Sequence, residues 1–251
     1  MAGKDGIFRL IACFFAILTA GNVMAQDEKE YTTKIEVDPA SKARIEFLEG
    51  SWDFGSVPKG YTVYHNFALR NVGTDTLIIT RVKPTCGCTA APLSADHIAP
   101  GDTAEIAVSF KTAKLEGRVK KYVNVDCNDP INPYYKITFD AVVGDPEQII
   151  AADPVAADFG DFTSGENPEI ALRIINSGSS PAELNVIDKL PDDQLTVSLE
   201  KSILATKDST TLRLRIAARV NPGPFASSIT LESAGSPQSR TTIPIIGRAV
   251  E

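Results

Sequence analysis

A set of short signatures occurs twice along this chain, in the same order. Asp53-Phe54-Gly55 returns as Asp158-Phe159-Gly160, and Asn71-Val72-Gly73 returns as Asn176-Ser177-Gly178 at the same offset. Phe67-Ala68-Leu69-Arg70 is answered by Leu172-Arg173-Ile174-Ile175. Further on, Phe110 pairs with Ile216, Val125 with Leu231 and Ile137 with Ile243, each one residue further apart, which places an inserted residue near 205–208. Self-similarity at a fixed spacing means that one folding unit was used twice. Features shared by both copies are therefore read as core and turn, and a feature found in one copy alone needs another reason.

Both copies have the period of strands. Tyr61, Val63, His65, Phe67 and Leu69 fall on one parity, and the polar-rich set Thr62, Tyr64, Asn66, Ala68 and Arg70 on the other. Alternation over that length marks a half-buried strand. Leu77 to Val82 is an aliphatic strand stopped by Pro84, and residues 104–110, 122–125 and 137–141 alternate again. Turn signals separate them at Pro58-Lys59-Gly60, Asn71-Val72-Gly73 and Ala99-Pro100-Gly101-Asp102, where Asn and Gly are expected to supply positive φ. With no convincing amphipathic helix, this describes an all-β fold of two tandem sandwiches, each of about 100 residues. The expected organisation is a signal peptide (1–25), a flexible leader (26–45), a first sandwich (46–144), a linker (145–152) and a second sandwich (153–251).

The N-terminus reads as an export signal. Lys4 and Arg9 give a basic start, Leu10 to Ala20 an apolar run, and Val23-Met24-Ala25 a cleavage site. That run is too short for a membrane span, which needs about 20 apolar residues. Leu10-Ile11-Ala12-Cys13 resembles a lipobox, but almost no apolar stretch precedes Cys13 and Arg9 interrupts it. The expected location is therefore the periplasm, the cell envelope or the exterior. A net charge of −7 gives no electrostatic footprint for nucleic acid or for an anionic membrane surface.

The feature that one copy lacks is Lys83-Pro84-Thr85-Cys86-Gly87-Cys88-Thr89. Its counterpart falls at Pro191 to Asp193, without cysteine. Beyond the signal, Cys86, Cys88 and Cys127 are too few for a disulfide framework. In an extended strand, residues two apart have Cα atoms nearly 7 Å apart, at the limit of a disulfide, so Gly87 is expected to bend the chain. A bridge there closes a very small loop, adds little stability and is easily reduced. Arg81 and Lys83 are expected to favour the thiolate. The same two thiolates can chelate copper(I), or zinc with further ligands. Cys86 and Cys88 are thus the redox or metal candidates, with His65 as a supporting residue expected below the loop. His97 and Cys127 are expected at the opposite end, Cys127 bonded to neither of the pair.

Several motifs together carry a family resemblance: Trp52-Asp53-Phe54-Gly55, Asn71-Val72-Gly73, Lys83-Pro84-Thr85-Cys86-Gly87-Cys88-Thr89, Ile98-Ala99-Pro100-Gly101 and Asn128-Asp129-Pro130. Over residues 46–144 the chain resembles the bacterial domain-of-unknown-function family 1573. That family is similar in fold to the immunoglobulin-like sandwiches of the ASPM, SPD-2 and Hydin class. The resemblance implies an exported immunoglobulin-like module, and it names no activity. No catalytic set is visible, and Asp192 and Asp193 read as solvated loop charges. The leading expectation is a non-enzymatic envelope protein that engages other envelope or surface proteins, with no nucleic acid and no transmembrane segment. The alternative is a thiol module, redox-active or copper-binding, at Cys86 and Cys88.

Overall fold

A computed structural model describes residues 37–190, 194–216, 220–234 and 239–251. The expected signal peptide and residues 26–36 of the expected leader lie outside them. The described residues belong to one compact unit. They form strands and no helix, so none is long and apolar enough to cross a membrane.

The first half contributes β1 (Ile45–Phe47), β2 (Ser51–Val57), β3 (Thr62–Asn71), β4 (Leu77–Pro84), β5 (Thr89–Ala90), β6 (His97–Ile98), β7 (Thr103–Lys111), β8 (Gly117–Cys127) and β9 (Tyr134–Val143). The second half contributes β10 (Ile150–Asp153), β11 (Ala157–Thr163), β12 (Glu169–Asn176), β13 (Ala182–Asp188), β14 (Leu195–Leu199), β15 (Ile203–Leu204), β16 (Ser209–Ile216), β17 (Gly223–Ala234) and β18 (Ser239–Val250). One sheet in each half has four strands, ordered β1-β3-β7-β5 and β10-β12-β16-β14. The opposing layers, β6-β4-β8-β9-β2 and β15-β13-β17-β18-β11, have matching orders and merge into a single ten-stranded sheet through β18 and β2.

The alternation read from the sequence is the alternation of burial. Along β3, Val63, His65, Phe67, Leu69 and Asn71 are buried and their neighbours are not. The first core is aromatic at its centre. Phe54 from one sheet meets Phe110 from the other at 6.3 Å, and Phe139 closes on Phe110 at 5.2 Å. Each of these fully buried rings contributes about 2–3 kcal/mol of apolar transfer. The second core is aliphatic, built on Leu172, Ile174, Leu212, Leu214, Ile229 and Ile243.

The repeated signatures are local devices. In Asp53-Phe54-Gly55 the carboxylate Oδ1 accepts the Gly55 amide at 2.8 Å, and Asp158 does the same for Gly160 at 2.9 Å. Both glycines have positive φ, and both strands shift register there. The Asn-x-Gly turns work differently from the expectation, because Gly73 and Gly178 are not among the residues with positive φ. Asn71 is wholly buried and acts as a staple. Its Nδ2 donates to Asp75 O and Ile98 O at 2.8 Å each, and its Oδ1 accepts the Gly73 amide at 2.9 Å. Asn176 repeats the arrangement with Ser180, Ala205 and Gly178. Gly73 is required by proximity, since a Cβ there would lie 2.1 Å from Lys42 O.

That contact belongs to the end of the expected leader, where residues 38–44 are bound to the body. Thr74 N donates to Lys42 O, Lys42 N donates to Asp75, and Ala43 is fully buried. Hydrogen bonds of its backbone and the burial of one small residue hold this stretch, so hydrophobic patterning carried no sign of it.

Side chains from both halves interlock where the cores meet. Ser56 and Thr241 are paired, and Thr242 Oγ1 donates to Phe54 O at 2.6 Å. Ser228 Oγ accepts the Tyr64 amide at 2.9 Å and donates to Tyr64 O at 3.0 Å. The Trp52 ring is clamped, with His65 stacked on it at 3.9 Å and the Arg240 guanidinium 5.0 Å from its centroid.

Candidate functional site at the Cys86–Cys88 loop

The loop crosses from one sheet of the first sandwich to the other, and backbone hydrogen bonds anchor both of its ends. On the entering side, Lys83 and Pro84 pair with Asn124 and Val123 of β8, and the Thr85 amide donates to Tyr122 O at 3.0 Å. On the leaving side, Thr89 and Ala90 pair with Phe110 and Ser109 of β7, and the Lys111 amide donates to Cys88 O at 2.8 Å. Within the turn, the Thr89 amide donates to Cys86 O at 3.3 Å. Pairing with β8 runs past Pro84 to Thr85, and pairing with β7 starts at Thr89, so only Cys86, Gly87 and Cys88 make the crossing.

Cys86 and Cys88 are joined by a disulfide, with Cα atoms 5.3 Å apart. Both residues are half-buried; Cys88 packs against the first core, and Gly87 between them is exposed. Gly87 has no positive φ, and a Cβ there would meet nothing within 4 Å. Neither a positive φ nor a close approach therefore demands glycine here. The buried Thr89 hydroxyl lies 3.5 Å from Cys86 Sγ and 3.9 Å from Cys88 Sγ. Arg81, expected to support a thiolate, is committed elsewhere, with its Nε 2.5 Å from the buried Asp126 carboxylate.

His65 does not lie with the cysteines. The β3 strand that carries it is separated from β5 by β7, and its ring nitrogens are taken by one carboxylate from each half. Nδ1 meets Asp188 Oδ2 at 2.7 Å and Nε2 meets Glu49 Oε1. Carboxylates only accept, so both contacts are hydrogen bonds when both nitrogens carry protons. Neither nitrogen is open to a metal beside the sulfurs. The position of His65 on the apolar parity was legible in the sequence. Its partner Asp188, far away in the chain, was not.

Cys127 is buried at the other end of β8, and its Sγ donates to Asn132 O at 3.3 Å. Burial pushes its thiol up to about 11. His97 is exposed at that end too, 3.0 Å from Asp96, and this hydrogen bond holds the Asp96 carboxyl below its usual range. Among the described residues, no group of three or more His, Cys, Asp or Glu is placed to hold a metal ion. Bonded sulfurs offer no thiolate, so the oxidised pair cannot chelate the copper(I) considered from the sequence. The second half's counterpart of the loop, Pro191 to Asp193, lies outside the described residues.

Residues 45–143 match the family whose description is "Protein of unknown function (DUF1573)". No curated protein matches. Among solved structures, a protein of unknown function from Porphyromonas gingivalis W83 is similar at 12% identity and a TM-score of 0.34, over 81% of this chain and 99% of that one. A PapD-like domain of human CEP192 gives 14% identity and a TM-score of 0.34, over 43% and 89% of the two chains. The Pseudomonas aeruginosa CupB2 chaperone gives 10% identity and a TM-score of 0.30, over 82% and 100%. The described residues are all-β, with facing sheets packed around two hydrophobic cores.

Proposed function

We propose that this chain, whose residues 45–143 match DUF1573, is a non-enzymatic, exported cell-envelope protein. In this reading its two cores act as one stiff interaction or structural module. The observation that carries the reading is the junction, where a continuous sheet and the Trp52 clamp join the halves. A flexible tether would let each sandwich bind independently; a locked pair presents one fixed surface to a partner, with little ordering cost on association. Exposed Val72 and Ile131 give that surface apolar anchors at one end. Both flank the Arg44-Ile45 segment: Val72 N donates to Arg44 O, and Asp129, two residues before Ile131, accepts Ile45 N.

Fractionation, N-terminal sequencing and in-cell crosslinking test the reading together. The expected result is an envelope protein starting at Gln26 that crosslinks to a defined envelope partner. A Val72→Asp/Ile131→Asp protein is expected to fold and to lose that crosslink. Recovery in the cytoplasm with residues 1–25 intact, or crosslinks indifferent to the double substitution, would sink it.

A further inference from the structure

The Cys86–Cys88 disulfide is not explained by docking, and the loop around it has the properties of a reaction site. We infer that it is a thiol–disulfide exchange site whose substrate is a cysteine pair on another polypeptide. The bond spans a sequence separation of 2, so it constrains almost nothing in the unfolded chain and is no scaffold staple. The loop is already held without it, through Thr85 to Tyr122, Lys111 to Cys88 and Thr89 to Cys86. Opening the bond therefore leaves both strands in place, and the oxidised and reduced loops share one frame. The bond is also reachable. Gly87 puts no side chain over it, both cysteines are part-exposed, and β5 is the last strand of its sheet.

The two sulfurs are not equivalent. Cys88 packs on the core, while Cys86 is outside that cluster, so an incoming thiolate meets Cys86 first. The partner's thiolate attacks Cys86 Sγ and forms a mixed disulfide, and the bonding pair of the S–S bond leaves on Cys88 Sγ. The Thr89 hydroxyl, within 3.9 Å of that sulfur, donates to the departing thiolate. The partner's second thiolate then attacks its own sulfur in the mixed disulfide and expels Cys86 as a thiolate, 3.5 Å from the same hydroxyl. The partner pair is oxidised to a disulfide, this chain is reduced to a dithiol, and the partner's two thiol protons are balanced by the two that Cys86 and Cys88 take up. Cys127, buried and at the far end, takes no part.

The test uses the mature chain at neutral pH without denaturant, and a reduced peptide bearing two cysteines as the probe. Alkylation and mass spectrometry read the thiols, and circular dichroism reads the sheet. The expected result is one mole of peptide disulfide formed per mole of chain, with Cys86 and Cys88 newly alkylated, Cys127 unlabelled and the sheet signal unchanged. Thr89→Val should slow the exchange about tenfold, the change produced by about 1.4 kcal/mol. With glutathione disulfide, Cys88→Ser should form a mixed disulfide at Cys86 faster than Cys86→Ser forms one at Cys88. A bond that opens only in denaturant, a sheet signal lost on reduction, or no peptide oxidation would overturn the proposal. Faster capture by Cys86→Ser would overturn the assignment of the attacked sulfur.

Discussion

Gly73 and Gly87 show how differently two turn glycines can be used. A methyl group at Gly73 would meet Lys42 O at 2.1 Å and Arg44 N at 2.6 Å, both backbone atoms that cannot rotate away. Gly73→Ala should cost about 2–3 kcal/mol in urea unfolding, whereas Gly87→Ala should stay within about 0.5 kcal/mol. Equal effects would mean that the close approach at Gly73 is wrong. Cys127 makes a second prediction, from its raised pKa. The folded state holds the thiol proton more tightly than the unfolded chain, so this contribution is full below the ordinary value of 9.0. It is lost as pH rises through about 11. The wild type should therefore lose more stability across that window than Cys127→Ala does. Native labelling of Cys127 at pH 8 at the rate of a free thiol would contradict the burial.

Strand ends, more than strand middles, organise this fold. The buried Asn71 side chain ties the end of β3 to the start of β4 and to β6 through Asp75 O and Ile98 O. Asn71→Ala orphans those carbonyls in a buried site and should cost about 2–4 kcal/mol by chemical denaturation. The crossing from β4 to β5 should behave in the opposite way. Its backbone hydrogen bonds persist when the sulfurs separate, so reduction of Cys86–Cys88 should lower stability by less than about 2 kcal/mol. A larger loss would make the bridge a structural tie after all.

The two halves are coupled through a small set of side chains around Trp52, the single tryptophan of the chain. Arg240 closes the set, donating to Glu232 at 2.7 Å and to Asp53 O at 3.3 Å while covering the indole. Tryptophan fluorescence therefore reports the junction, and circular dichroism reports all three sheets. In the wild type the two unfolding curves should coincide. Arg240→Ala should remove about 1–2 kcal/mol and bring the fluorescence transition to lower denaturant than the loss of sheet. Coincident curves in both proteins would mean that the cores couple by other contacts.

Periodicity of two, turn residues at regular intervals and the doubled signatures were enough to specify an all-β sandwich class, because those signals act between near neighbours in the chain. The same locality exposed Cys86 and Cys88 as the unshared feature, since a loop present in one copy cannot be a packing demand. It also misread Gly73 as a positive-φ turn and placed His65 under the cysteine loop. In both cases the deciding contact comes from elsewhere, Lys42 for the glycine and Asp188 for the histidine. The junction was likewise invisible, because Thr242 meets Phe54 and Ser228 meets Tyr64 only once both halves are assembled. Short-range patterning selects strands and turns; which polar groups satisfy one another across the chain is decided by the packing that brings them together.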